Sequence, residues 1–149
     1  MGAYKMTCAE FLSQMKTHGA YIAPPMPQNN TLIATTNLQQ LRVAMLPKFM
    51  IELYSQCGGL ILDTGYIFGP SEINRGKNYP VPDIVQINRD TAGIPALCGK
   101  TIFGRNDLFL FAFDSFGVCQ MLDNITLAAM RTYDDPWRAM TDCLIAGKL

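Results

Sequence analysis

The second half of the sequence alternates short apolar segments with polar turns, which restricts that region to a series of antiparallel strands. Residues 101–103 and 108–113 flank a four-residue polar connection, which is a common length for a hairpin loop. Residues 114–117 form a second turn that leads into the strand-like residues 118–122, and residues 127–133 predict one further strand. We therefore predict a β-meander over this half of the chain.

The first half carries helical signals. Thr7 and Glu10 form a capping box, and the apolar residues after it recur at helical spacing until Gly19, which predicts a first helix. Asn37 is placed to cap a second helix, or a kinked pair of helices, over residues 37–57. The two glycines that follow this stretch supply the backbone freedom that ends a helix.

Residues 23–30 contain three prolines, which remove backbone donors and fix φ, so they predict a connector and not a helix. The 22 residues before it are too few to form a core, so residues 1–149 are predicted to be one domain. A final helix is predicted to begin at Asp135, Pro136 and Trp137, with an acidic cap and proline at the first helical position.

Charge and cysteine content limit the classes of partner and the compartment. Twelve acidic residues balance twelve basic ones, and the basic residues are dispersed, so neither nucleic acid nor a membrane is predicted as a partner. Phe109, Phe111 and Phe113 alternate with apolar residues, which predicts a strand buried on both faces and not a platform for stacking bases. Five cysteines, an odd number, and no apolar signal segment predict reduced thiols in a cytoplasmic protein.

Three kinds of chemical site can be compared with the residues of this sequence. Residues 93–101 look like a phosphate-binding loop, but five residues separate the glycines where the pattern has four, and a hairpin follows instead of a helix. Cys8 is ten residues from His18, the one histidine, which is too far along a helix for a nucleophile and its base. The other four cysteines are interpreted as small buried side chains. With one histidine and no closely spaced cysteines, no catalytic residue, metal site or cofactor is predicted.

Polar residues in three predicted loops are the candidates for a partner-binding surface, because loops on a rigid sheet present recognition groups. Charges of both signs in loops are also typical of a solvated surface. The candidate residues are Glu72, Arg75, Asp83, Arg89, Asp90, Arg105 and Asp107.

The order of several motifs resembles the SUKH superfamily, which includes many bacterial immunity proteins and a fungal regulator of cell-wall synthesis. The resemblance covers residues 46–144, and the first 35 residues have no counterpart in it. Cys57 and the start of the final helix depart from the family pattern. The matching motifs are Leu46-Pro47, Gly58-Gly59, a short strand from Tyr66 to Gly69, a brief helix from Ile84 to Asn88, a strand–turn–strand around Gly104 and Asp107, and a closing helix over residues 135–144.

This resemblance implies an α+β fold: a single domain with a bent antiparallel β-sheet of about five to six strands flanked by helices. It also implies a protein that binds and neutralises a bacterial toxin, often a nuclease or deaminase, with no established catalytic residues. A regulatory or interaction module with a non-toxin protein partner is the alternative. A nucleotide-binding or hydrolytic enzyme is the remote alternative.

Overall fold

One open antiparallel sheet organises the chain. The structure, a computed structural model, describes residues 6–74 and 80–145 of the 149-residue chain. Within these residues each strand pairs antiparallel with its neighbours in sequence, so sheet order and chain order are the same. The seven strands are β1 (Tyr21–Ile22), β2 (Leu60–Leu62), β3 (Gly65–Ile67), β4 (Thr101–Arg105), β5 (Phe109–Phe113), β6 (Cys119–Asp123) and β7 (Ala129–Tyr133). The predicted α+β class, single domain and meander are confirmed. The sheet has seven strands, where about five to six were expected.

Five α-helices accompany the sheet in the described residues. They are α1 (Cys8–Thr17), α2 (Gln28–Gln40), α3 (Lys48–Gln56), α4 (Ile84–Asp90) and α5 (Pro136–Ile145). Two of the three predicted caps are present: Thr7 Oγ1 accepts the Glu10 N–H at 3.2 Å before α1, and Asp135 Oδ1 accepts the Trp137 N–H at 3.1 Å before α5. The brief helix that the resemblance implied from Ile84 to Asn88 is α4.

The boundaries predicted around α2 are wrong. Its first three residues fall in the proline-rich segment predicted to be a connector, because Pro27 lies just outside the helix and no proline is inside it. Asn37 belongs to the last turn of α2 and does not cap a new helix. Arg42, with φ of 60°, turns the chain away, and the next helix begins only after Pro47. The single or kinked helix expected over residues 37–57 is therefore two separate helices.

Aromatic rings fill the layer between the sheet and helices α1, α3 and α5. The ring of Phe49 on α3 lies 5.9 Å from Phe113 on β5 and 6.3 Å from Trp137 on α5, in both cases edge to face. Phe11 of α1 lies 5.6 Å from Trp137. Phe103 of β4 stacks on Phe113 at 5.8 Å. Such pairs each add about 0.5–1.5 kcal/mol to the burial of their surface, so they fix these helices on this one face.

Two glycines let α5 lie directly on the sheet. A Cβ atom on Gly65 would stand 2.7 Å from the Cys143 carbonyl oxygen, and one on Gly104 would stand 3.0 Å from Cys143 Sγ. These two positions therefore point toward α5. Because successive residues of a strand point to opposite faces, the neighbouring Tyr66 and Arg105 point away from α5.

Candidate functional site

A row of side chains crosses the face of the sheet opposite α5. Cross-strand pairing places Tyr66 beside Arg105, and Arg105 beside Leu110, so these side chains occupy one line on one face. Neighbouring strands lie about 4.8 Å apart, so a row across six strands is about 24 Å long. We call it the open-face row, and its members in order from β1 to β6 are Tyr21, Ile61, Tyr66, Arg105, Leu110 and Leu122.

The open-face row is accessible over most of its length. Tyr21, Ile61, Tyr66 and Leu110 are half-buried and Arg105 is exposed, whereas Leu122 is fully buried. Helix α5 packs across β2–β7 from the opposite face and does not shield these side chains. The row therefore offers a strip of aromatic and aliphatic surface with one cation near its centre. Aromatic residues and arginine are the types enriched in protein interfaces, where most other charged types are depleted.

The β4–β5 hairpin holds two of the seven residues that the sequence nominated. Arg105 is the last residue of β4 and belongs to the open-face row, so the prediction that it lies in the turn is wrong. Asp107 is exposed in the turn, and its carbonyl oxygen accepts a bond from Asn124 Nδ2 at 2.8 Å. The turn lies two residues later in the chain than predicted, because strand pairing continues to the Arg105–Leu110 pair.

Three more nominated residues, which were predicted to lie in one loop, belong to α4 or cap it. Asp83 caps the helix, since its Oδ1 accepts the Gln86 N–H at 2.8 Å. The Gln86 side chain then donates to Asp90 at 2.7 Å and accepts from Arg89 at 3.3 Å. These polar groups bond to one another along the helix. The hydrogen bonds within α4 therefore explain why polar residues occur here, and no bound ligand is needed to explain them.

The α4 residues lie apart from the open-face row. Asp83 and Arg89 line a cleft of about 310 Å³ between α2 and α4, where Asn30 Nδ2 donates to Ser71 Oγ at 2.8 Å. Glu72 is exposed near this cleft, next to Ser71 in the chain. Arg75 lies outside the described residues. The nominated residues that the structure describes thus belong to two separate regions, of which only the hairpin region adjoins the open-face row.

The cysteines do not form a nucleophilic site. All five are free, and Cys8, Cys57, Cys119 and Cys143 are buried. Burial raises the pKa of Cys57 to about 11 and that of Cys119 to about 12, so these thiols stay protonated at neutral pH and are poor nucleophiles. The expectation of a buried side chain is wrong for Cys98, which is exposed in the connection between α4 and β4. His18 caps the C-terminal end of α1.

The glycine-rich residues 93–101 have the opposite order of elements to a phosphate-binding loop. They follow helix α4 through a single 3₁₀ turn at Pro95–Leu97 and lead into strand β4, whereas a phosphate loop follows a strand and opens a helix. A cavity of about 250 Å³ here is lined by Arg42 and Lys100. Thr91, the C-cap residue that follows α4, also lines this cavity, so the negative end of the α4 dipole disfavours an anion there.

The described residues contain neither a metal-binding cluster nor a membrane-spanning helix. Within residues 6–74 and 80–145, no three histidine, cysteine or acidic side chains are grouped so as to hold a metal ion. In the same residues no helix has both the length and the apolar character needed to cross a membrane. Comparisons with protein-family models, with curated proteins and with solved structures found no match to this chain.

Sequence reasoning nominated Arg105 but missed its neighbours in the open-face row. The alternation of strand residues predicts that Tyr66 lies on the opposite face from Ile67, and Leu110 from Phe111. It does not predict which residue of one strand stands beside which residue of the next. The pairing of Tyr21 with Ile61, which are 40 positions apart, leaves no local signal in the sequence.

Proposed function

We propose that this chain is a non-enzymatic protein-binding domain that docks a partner protein on the open-face row. The observation that carries the proposal is the line Tyr66, Arg105 and Leu110, which the strand register places side by side on the face away from α5. Tyrosine and arginine are the residue types that most often dominate the binding energy of an interface. Their side chains here stand on paired strands, which hold them in place before a partner arrives.

The dimensions of the row suit a protein partner. A stable interface buries about 800 Å² on each side, equivalent to a patch roughly 28 Å across. The row is about 24 Å long, and the side chains beside it on neighbouring strands widen the patch. The positive charge of Arg105 calls for an acidic group on the partner at the centre of the interface.

The partner that we propose is a bacterial toxin domain, of nuclease or deaminase type, which this chain would neutralise in the cytoplasm as an immunity protein. This finer proposal rests on the resemblance to the SUKH superfamily over residues 46–144. The order of elements gives it support, since the helix before Gly58, the short strand at Tyr66, the brief helix α4 and the closing helix α5 follow one another in the expected sequence. A regulatory module with another protein partner would use the same face.

Co-expression with the product of the neighbouring gene tests both levels of the proposal. Rescue from killing, together with co-purification, is expected if the partner is a toxin, and co-purification without killing indicates the regulatory module. Arg105→Glu reverses the charge in the open-face row and is expected to weaken binding by roughly tenfold or more. Arg138→Glu is the matched control, because Arg138 is an exposed arginine of α5, on the other side of the sheet.

Two outcomes would contradict the proposal. Equal binding by Arg105→Glu and Arg138→Glu would exclude the open-face row as the docking surface. Turnover of a substrate by the purified wild-type protein would overturn the non-enzymatic assignment.

A further inference from the structure

A cleft of about 460 Å³ lies at one end of the sheet, where the β2–β3 and β4–β5 turns meet the last described turn of α5. Its apolar walls are formed by Leu62, Phe109 and Leu144. Leu108 also lines the cleft and is 64% exposed, so it extends the apolar surface outward. The cleft can therefore accept the apolar part of a ligand.

The charges that the described residues contribute to this cleft are all negative. Its charged lining residues are Asp63 and Asp107, and both are exposed. Cys143 and Leu144 line the cleft from the last described turn of α5, so the negative end of that helix dipole lies beside it. The electrostatics of the cleft therefore favour a cation.

Hydrogen bonds fix the β4–β5 turn against α5. Asn106 Nδ2 donates to the Cys143 carbonyl at 3.1 Å, and Asn106 Oδ1 accepts the N–H groups of Leu108 and Phe109 at 3.0 and 2.9 Å. The Asp107 carbonyl accepts a bond from Asn124, as described above. The wall of the cleft is thus formed before a ligand arrives, which lowers the entropic cost of binding.

From these features we infer that the cleft binds an arginine side chain of the partner protein. Arginine combines an aliphatic stem, which packs on apolar surface, with a guanidinium that donates several hydrogen bonds to carboxylate and carbonyl oxygens. The walls at Leu62 and Phe109 suit the stem, and the carboxylate of Asp107 beside the end of α5 suits the guanidinium. An acidic side chain would be repelled, and an uncharged one would leave the negative charges of the cleft unbalanced.

This inference rests on the proposed protein-binding function and names one group that the partner must present. Arg105 of the open-face row is two residues from Asp107, so the β4–β5 hairpin joins the two surfaces. A partner that grips this hairpin would bring an acidic group to Arg105 and an arginine to Asp107. The test below uses peptides and needs no partner, so the inference can fail while docking on the open-face row stands.

NMR titration of the ¹⁵N-labelled full-length protein with capped tripeptides tests the cleft. The peptide acetyl-Gly-Arg-Gly-amide is expected to shift the amide signals of Thr64 and Asp107, with a dissociation constant of about 1 mM for so small a ligand. The same peptide with citrulline in place of arginine has nearly the same shape and no charge. This matched ligand is expected to bind roughly tenfold more weakly.

Two variants of similar size locate the binding site. Asp107→Asn removes the charge and is expected to weaken binding of the arginine peptide by roughly tenfold. Asp134→Asn is the matched control and should leave binding unchanged, because Asp134 is an exposed residue before the opposite end of α5. The same spectra establish that each variant is folded.

Three outcomes would overturn the inference. The first is equal binding of the arginine and citrulline peptides, and the second is equal binding of the arginine peptide to Asp107→Asn and Asp134→Asn. The third concerns Lys148, which follows Ile145 by three positions and lies outside the described residues. Binding of the arginine peptide only after Lys148→Ala would mean that the cleft holds a basic side chain of its own chain.

Discussion

The side chain of Asn88 completes the edge of strand β4 by bonding to both backbone groups of Ile102. Asn88 Oδ1 accepts the Ile102 N–H at 2.8 Å, and Asn88 Nδ2 donates to the Ile102 carbonyl at 2.9 Å and to the Ile84 carbonyl at 2.7 Å. Strand β3 ends before it can pair with this part of β4, since its last bond joins the Phe68 N–H to the Phe103 carbonyl. The amide of Asn88 thus replaces a peptide group of the missing strand.

Replacement of Asn88 by leucine should destabilise the fold strongly. Asn88 is 2% exposed, so Asn88→Leu would leave the Ile102 N–H and carbonyl buried without these partners. Each unsatisfied group costs about 1–3 kcal/mol, so the loss of two should lower the free energy of unfolding by roughly 2–6 kcal/mol. Urea unfolding followed by circular dichroism measures the change. Asn124→Ala, at an exposed asparagine, should cost less than about 1 kcal/mol, and equal losses for the two variants would refute this role.

The hydroxyl of Tyr54 provides a second buried anchor. It donates to the Phe68 carbonyl at 2.6 Å, next to the end of β3, and burial raises the pKa of this tyrosine well above its ordinary value. Tyr54→Phe keeps the ring and removes the donor, so it should lower the free energy of unfolding by about 1–3 kcal/mol. Tyr66→Phe serves as the comparison because Tyr66 is half-buried on the open face. A loss in Tyr66→Phe as large as that in Tyr54→Phe would contradict this explanation.

Local chemistry explains which parts of the fold the sequence predicts. The capping box at Thr7 and the Asp135-Pro136 start of α5 depend on residues within three positions of each other, and both are found where expected. The turn at Asp114 is of the same kind, with its Oδ1 accepting the N–H groups of Phe116 and Val118. Such signals depend little on the rest of the chain.

Longer-range contacts explain what the sequence does not predict. Strand β1 has only two residues and exists because Tyr21 and Ile22 pair with β2, 40 and 38 positions later. Asn88 looks like one more polar residue beside Arg89, yet it is buried because Ile102 lacks a partner strand. The expectation of a strand buried on both faces holds at Phe111–Phe113. It fails at Phe109 and Leu110, the first two residues of β5, which are half-buried.

Cys98 should be the one cysteine that reacts rapidly in the native protein. It is exposed, whereas the other four are buried, and burial raises the pKa of Cys8 and Cys57 to about 11. The thiolate is the form that reacts with iodoacetamide. At mildly alkaline pH, iodoacetamide should therefore modify a single site rapidly while the protein remains folded. Mass spectrometry of the alkylated peptides identifies the site, and Cys98→Ser should remove the fast reaction. Rapid labelling of Cys57 in the folded protein would show that this residue is not enclosed.

Alkaline pH should destabilise the protein through its buried thiols. Burial raises the pKa of Cys57 from an ordinary 9.0 to about 11 and that of Cys119 from 9.0 to about 12. Between the unfolded and folded values the native state binds more protons than the unfolded state, so the free energy of unfolding falls as pH rises. This contribution is fully present below about pH 9 and is lost as pH rises through about 11 to 12.

Urea unfolding at a series of pH values measures the alkaline loss. Cys119→Ala should lower the stability at neutral pH but reduce the slope of stability against pH above 9, because it removes one of the groups that titrate on unfolding. Cys98→Ala is the matched control, since Cys98 is exposed and its removal leaves the buried thiols in place. A slope that is the same in Cys119→Ala and in the wild type would mean that another group, with Tyr54 the first to test, governs the alkaline transition.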